Sequence, residues 1–283
     1  MRTSSICILM FFLFPSHAFC QTKPDELILY KVIEDVELYL HVFYPDSHAA
    51  SDQRSAIVFF FGGSWRKWNP TQFYPQSLYL AQRGMIAVCA EYRTENKHHT
   101  SPIECVKDGK SAIRWIRTHA GELGIDPMKL VAGGGSAGGH LAVAASFLKG
   151  FNEASEDTSI DCRPDALVLF NPVIDNSSEG YGYERVQDYW QKFSPLHNVS
   201  KPVPPSIIFL GTKDELIPVT TMEKFQKQII YLGGRCDLLL FDGESHGFFN
   251  HSKYEETLLA TEKFLISLGY LQCDKKQANF YIN

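Results

Sequence analysis

The chain has no run of basic residues, no cysteines at metal-binding spacing, no internal repeat and no low-complexity stretch. Each absence narrows the function. With 27 Lys and Arg against 32 Asp and Glu, the net charge is −5, and nothing gathers positive charge into the stripe that nucleic acid demands. The seven cysteines, Cys7, Cys20, Cys89, Cys105, Cys162, Cys236 and Cys273, are scattered. They make a poor disulfide framework and no zinc motif, and Cys89, on an apolar run, reads as core. No metal and no cofactor is expected. Beyond the N-terminus no apolar run is long and uncharged enough to cross a bilayer.

The N-terminus has a different character. Arg2 is followed by an unbroken apolar stretch over 6–14. Nine residues cannot span about 30 Å of hydrocarbon as a helix, so residues 1–20 read as a signal peptide. Cleavage falls after Ala18 or after Cys20, and the product is expected to be secreted or periplasmic. The remaining 21–283, within a chain that is 45% hydrophobic, suits a single α/β domain.

Apolar runs at 27–33, 37–44, 56–61, 85–92, 130–133, 165–170, 206–210 and 236–241 read as strands, and amphipathic stretches at 72–83, 102–120, 137–148, 221–232 and 254–268 as helices. The first two strands look like an antiparallel pair. Strand and helix then alternate, which predicts a mainly parallel sheet covered on both faces. The segment 173–205 breaks the alternation and carries Tyr181, Tyr183, Tyr189 and Trp190; it is either a small lid or substrate wall, or a surface loop.

The most informative stretch is Gly133-Gly134-Gly135-Ser136-Ala137-Gly138-Gly139, at the junction of a strand and a helix. Gly134, Ser136 and Gly138 spell G-x-S-x-G, the signature of a nucleophile elbow, where a serine sits on a turn too tight for side chains two residues away. Gly133, Gly135 and Gly138 also spell a dinucleotide fingerprint. That reading needs a second strand ending in an acid about 20 residues on, and 152–158 is a polar loop.

A serine nucleophile needs a base and an acid downstream, in that fold's chain order of serine, acid, histidine. The strand at 206–210 runs into Asp214, and the strand at 236–241 into His246. All three residues fall at carboxyl ends of strands, where open α/β sheets build their sites. His246 can take the serine proton, and Asp214 can fix the imidazole tautomer and stabilise the imidazolium. Asp175, past the strand at 165–170, is a rival acid; His197 reads as structural. Gly62 and Gly63, after an early strand, and Ala137, after the serine, can offer oxyanion amides. Trp65 belongs either at the mouth of the cleft, binding substrate, or in the core.

These residues resemble the α/β-hydrolase superfamily. They are most similar to a secreted bacterial esterase group that includes acetyl-xylan and feruloyl esterases and other acetyl esterase/lipase-type enzymes. Phe60-Phe61-Gly62-Gly63-Ser64-Trp65, Trp115-Ile116-Arg117, Gly124-Ile125-Asp126-Pro127 and Ser245-His246-Gly247-Phe248-Phe249 carry the likeness. It implies an α/β-hydrolase fold with Ser136 as nucleophile, Asp214 as acid, His246 as base and Gly62, Gly63 and Ala137 as oxyanion donors. Phe61 and Ser64 depart from the His-Gly-Gly-Gly loop of many relatives. The expectation is a secreted serine ester hydrolase that deacylates polysaccharide or small acyl esters, with no nucleic-acid partner and no membrane span in the mature chain. The alternatives are a peptidase of prolyl-oligopeptidase type and a non-catalytic binder on the same scaffold.

Overall fold

The computed structural model describes residues 23–273, so the expected signal peptide lies outside the described residues. Eight strands form one sheet: β1 (Glu26–Ile33), β2 (Val36–Phe43), β3 (Arg54–Phe60), β4 (Ile86–Ala90), β5 (Ile125–Gly135), β6 (Ala166–Phe170), β7 (Ser206–Gly211) and β8 (Cys236–Phe241). Their spatial order is β1-β2-β4-β3-β5-β6-β7-β8. The pairings β1/β2 and β2/β4 are antiparallel and all others are parallel. A mainly parallel α/β sheet with an antiparallel N-terminal pair is the class that the alternation of apolar runs predicts.

Why both faces are covered is legible in β3. Ala56, Val58 and Phe60 enter one core cluster, and Ile57 and Phe59 the other. Successive side chains point to opposite faces, so a strand that is apolar at every position needs helices on both sides. Helices α2 (Pro102–Thr118), α3 (Ala137–Phe147) and α4 (Val219–Tyr231) cover the first face. Helices α1 (Tyr74–Gln82) and α5 (Tyr254–Ser267) cover the second. Every residue of α3 is buried, as a helix that is mostly apolar all round requires, with His140 and Ser146 its polar exceptions.

The main boundary difference is β5, which starts at Ile125 rather than at 130. Ile125 pairs with Arg54 and Leu130 with Ala56, so 126–129 bulges out of register, with Met128 exposed. A bulge with Pro127 in it has no apolar alternation to read. The segment 173–205 forms short turns of helix at Tyr183–Val186, Trp190–Phe193 and Pro195–His197. The described cysteines are all unpaired, with Cys89 buried and its thiol pushed up to about 12 by that burial.

Candidate active site

Ser136 joins β5 to α3 with φ 53° and ψ −118°. A residue with a β-carbon held there stores about 1–3 kcal/mol of strain, which the surroundings must enforce. They do so through the backbone: the Ser136 N–H donates to the Phe170 carbonyl at 3.0 Å, and its own carbonyl accepts from His140 at 3.0 Å and Val173 at 3.1 Å. The glycines are a steric necessity. A β-carbon on Gly138 would lie 2.0 Å from the Phe60 carbonyl oxygen, and one on Gly134 would lie 2.5 Å from the carbonyl carbon of Gly138.

Asp214 follows β7 and His246 follows β8, and their loops are tied together. The Lys213 N–H donates to the Glu244 carbonyl at 2.9 Å, and the Gly243 N–H to the Thr212 hydroxyl at 2.8 Å. Phe248 and Phe249 are buried just past the histidine, and Phe249 stacks on Phe73 at 5.6 Å, which pins the His246 loop to the core. The Asp214 carboxylate is fully buried. Its Oδ1 accepts from the Leu216 and Ile217 amides at 2.9 and 3.0 Å, leaving Oδ2 to accept from His246 Nδ1–H at 2.7 Å. On the other side of the ring, Nε2 meets the Asn171 side-chain amide at 3.2 Å.

Ser136 and His246 line one cleft of about 440 Å³ together with Gly62 and Gly63. Asp175, the rival acid, accepts from the Ser177 amide and lies 3.8 Å from His197, lining a different hollow. The two glycines differ in a way the sequence hides. The Gly62 N–H, expected to be an oxyanion donor, is committed to Gln72 Oε1 at 2.6 Å. Among the described residues the Gly63 and Ala137 amides make no hydrogen bond, so neither is committed to a protein partner.

Trp65 is not at the cleft mouth. Its indole is fully buried against His140 (5.2 Å), Tyr181 (6.1 Å) and Phe193 (6.2 Å), and a Ser64 hydroxyl bond to Tyr181 at 2.6 Å ties the same loop to the 173–205 segment. The aromatic residue that does line the cleft is Trp68, three positions on, joined by Asn171 and Gln72. Nothing in the sequence separates Trp68 from Trp65, since both follow the same glycine pair. Nothing local marks Asn171 or Gln72, whose roles arise from contacts across the fold.

A serine on a strained strand-to-helix turn, with an acid and a histidine on two later strand ends of one sheet, is the architecture of the α/β-hydrolases, and the chain has that fold. It belongs to the BD-FAE family, whose model matches residues 40–229, more than half of its length. Among solved structures, the apo form of Thermogutta terrifontis esterase 2 is 42% identical with a TM-score of 0.84, over 88% of this chain and 96% of that one. A probable carboxylic ester hydrolase of Mycobacterium tuberculosis, LipM, is 28% identical over 72% of this chain and 52% of its own length. An acetylxylan esterase of Xylanibacter ruminicola is 27% identical over 72% of this chain and 43% of its own. The chain thus spans about half the length of the curated relatives it matches.

Proposed function

We propose that the chain is an exported serine carboxylic-ester hydrolase that works through an acyl-enzyme and removes acetyl or other short acyl groups from esters of a polysaccharide or a small alcohol. The observation that carries the reading is the shared cleft of Ser136 and His246, with the imidazole held at 2.7 Å on a buried, backbone-anchored carboxylate. A serine hydroxyl is a poor nucleophile until a base takes its proton as it attacks.

In the proposed sequence the Ser136 oxygen adds to the ester carbonyl while its proton passes to His246 Nε2. Asp214 stabilises the imidazolium without itself being protonated. The Gly63 and Ala137 amides receive the negative oxygen of the tetrahedral intermediate, and each such donor contributes about 3 kcal/mol to the transition state. The Nε2 proton then goes to the departing alkoxide, leaving the acyl group on Ser136. Water, deprotonated by the same nitrogen, releases the carboxylic acid.

Short acyl groups are supported by the modest cleft and by the Thermogutta esterase, solved with propionate and with butyrate bound. That protein was also solved phosphonylated by cyclosarin and by sarin, a chemistry that needs an activated nucleophile. The likeness to an acetylxylan esterase supports a polysaccharide as the alcohol. Export is supported by the positive residue and apolar stretch that open the sequence.

The test is a panel of p-nitrophenyl acyl esters and acetylated polysaccharides, run with wild type and Ser136→Ala side by side. Wild type should favour the shortest acyl chains, show an initial burst of nitrophenol, and lose on the order of 10³-fold or more in kcat on the alanine change, with unchanged circular dichroism. Hydrolysis that survives Ser136→Ala would sink the nucleophile assignment.

A further inference from the structure

We propose that Asn171 is a positioning residue for His246, holding the imidazole with its proton on Nδ1 and its lone pair on Nε2. The proposal rests on the esterase reading for its purpose, but the contacts stand without it.

The oxygen and nitrogen of an asparagine amide are usually assigned from their neighbours. Here one neighbour leaves no choice. The Gly247 backbone N–H can only donate, and it meets the Asn171 side chain at 3.2 Å, so the atom facing it is Oδ1. The NH₂ group is then the end that faces His246 Nε2 at 3.2 Å. An amide NH₂ can only donate, so Nε2 must carry the lone pair and Nδ1 the proton that Asp214 accepts. Two unrelated contacts, one on each ring nitrogen, select the same tautomer.

Asn171 is also built to stay in place. It is fully buried, and its backbone N–H donates to the Phe209 carbonyl at 2.7 Å. Its φ of 35° is a value that asparagine tolerates better than other residues with side chains. Phe170, just before it, packs on Phe249 at 4.7 Å and Phe209 at 5.0 Å. The end of β6 and the histidine loop are therefore packed and hydrogen-bonded together.

The consequence is chemical. Protonating His246 would put an N–H at Nε2 opposite the Asn171 NH₂, donor against donor, so Asn171 favours the neutral base. Asp214, in contact from the β7–α4 loop, favours the charged ring. Lys67 lines the same cleft, and Ser136 on the elbow is neutral. During turnover the Ser136 hydroxyl must take over the Nε2 lone pair, so Asn171 is the resting partner that is exchanged.

The experiment compares wild type, Asn171→Ala and Asn171→Asp by the pH dependence of kcat/KM on p-nitrophenyl acetate and by NMR titration of the His246 imidazole. Loss of the donor should move the acid limb and the NMR midpoint of Asn171→Ala upward by about 0.5–1 pH unit. The carboxylate of Asn171→Asp, which keeps an acceptor for Gly247, should move them further, with KM little changed. An NMR midpoint unmoved in Asn171→Ala overturns the proposal. If alanine fails to fold, a midpoint not raised in Asn171→Asp overturns it. Hydrolysis persisting in Ser136→Ala would instead overturn the assignment of Ser136 as nucleophile, on which the purpose of the proposal rests, and the NMR comparison would stand unaffected.

Discussion

Two of the histidine–aspartate pairs among the described residues have acids that follow the neighbouring strands β6 and β7, and only one of these two is in the cleft. Asp214 and His246 meet at 2.7 Å, and the carboxylate is fully buried and anchored on two amides. Asp175 and His197 stand 3.8 Å apart with the histidine side chain 39% exposed, and His197 Nδ1 is already engaged by the Ser194 hydroxyl at 2.9 Å. A separation of 3.8 Å is no hydrogen bond, and an exposed pair of that kind contributes about 0–1 kcal/mol. Residue type and chain position are alike in the two pairs. Burial and a carboxylate oxygen left for the imidazole set Asp214 apart.

The comparison is broken or kept by two matched substitutions. Asp214→Asn preserves shape but offers Nδ1 an amide that can present its donor end, and kcat should fall on the order of 10³–10⁴-fold. Asp175→Asn should change kcat by less than about twofold, because it touches neither ring nitrogen of His246. Steady-state kinetics on p-nitrophenyl acetate decide it: a larger loss in Asp175→Asn would reverse the assignment.

A second contrast lies within the loop after β3, where Trp65 is fully buried and Trp68 lines the cleft. Trp65→Ala should destabilise the fold by about 3–5 kcal/mol, the usual result of emptying a large core site. The denaturation midpoint should fall accordingly. An unchanged midpoint with a raised KM would return Trp65 to the role of a substrate contact.

These contrasts show what the sequence could carry. Ser136, Asp214 and His246 were legible because each lies where an apolar run ends, and runs of two- or three-and-a-half-residue period are local facts. The sequence leaves Asp214 and Asp175 as rivals, and what sets Asp214 apart is non-local: a contact with His246 and a loop tied to Glu244. The loss of Gly62 as a donor comes from Gln72, which the chain brings back only after a turn of the oxyanion loop. Trp65 was undecided because buried and cleft-lining tryptophans share the same neighbours in sequence. Nothing near Asn171 in the sequence marks it, because its partners lie 75 and 76 positions away. Element identity is local; hydrogen-bond partnership is not.

Histidines divide in the same way as the aspartates. His246 sits at the cleft, whereas His140 is fully buried on α3, stacked on Phe193 at 4.5 Å and bonded through Nε2 to the Phe193 carbonyl at 3.1 Å. Burial pushes its pKa down to about 4 from 6.5. The sign follows from proton counting. Below about pH 6.5 the unfolded chain binds a proton at His140 that the folded chain refuses until about pH 4. The stabilisation is therefore complete at neutral pH and lost on acidification through that window, by an order of magnitude of about 3 kcal/mol in total. Urea midpoints across the window should fall more steeply for wild type than for His140→Phe, which fills the site with a ring that cannot titrate. The variant loses the bond to the Phe193 carbonyl at every pH, so its curve should be lower near neutrality and flatter below it. Parallel curves would mean that the folded protein protonates His140 as readily as the unfolded chain, and burial would then impose no restriction on that histidine.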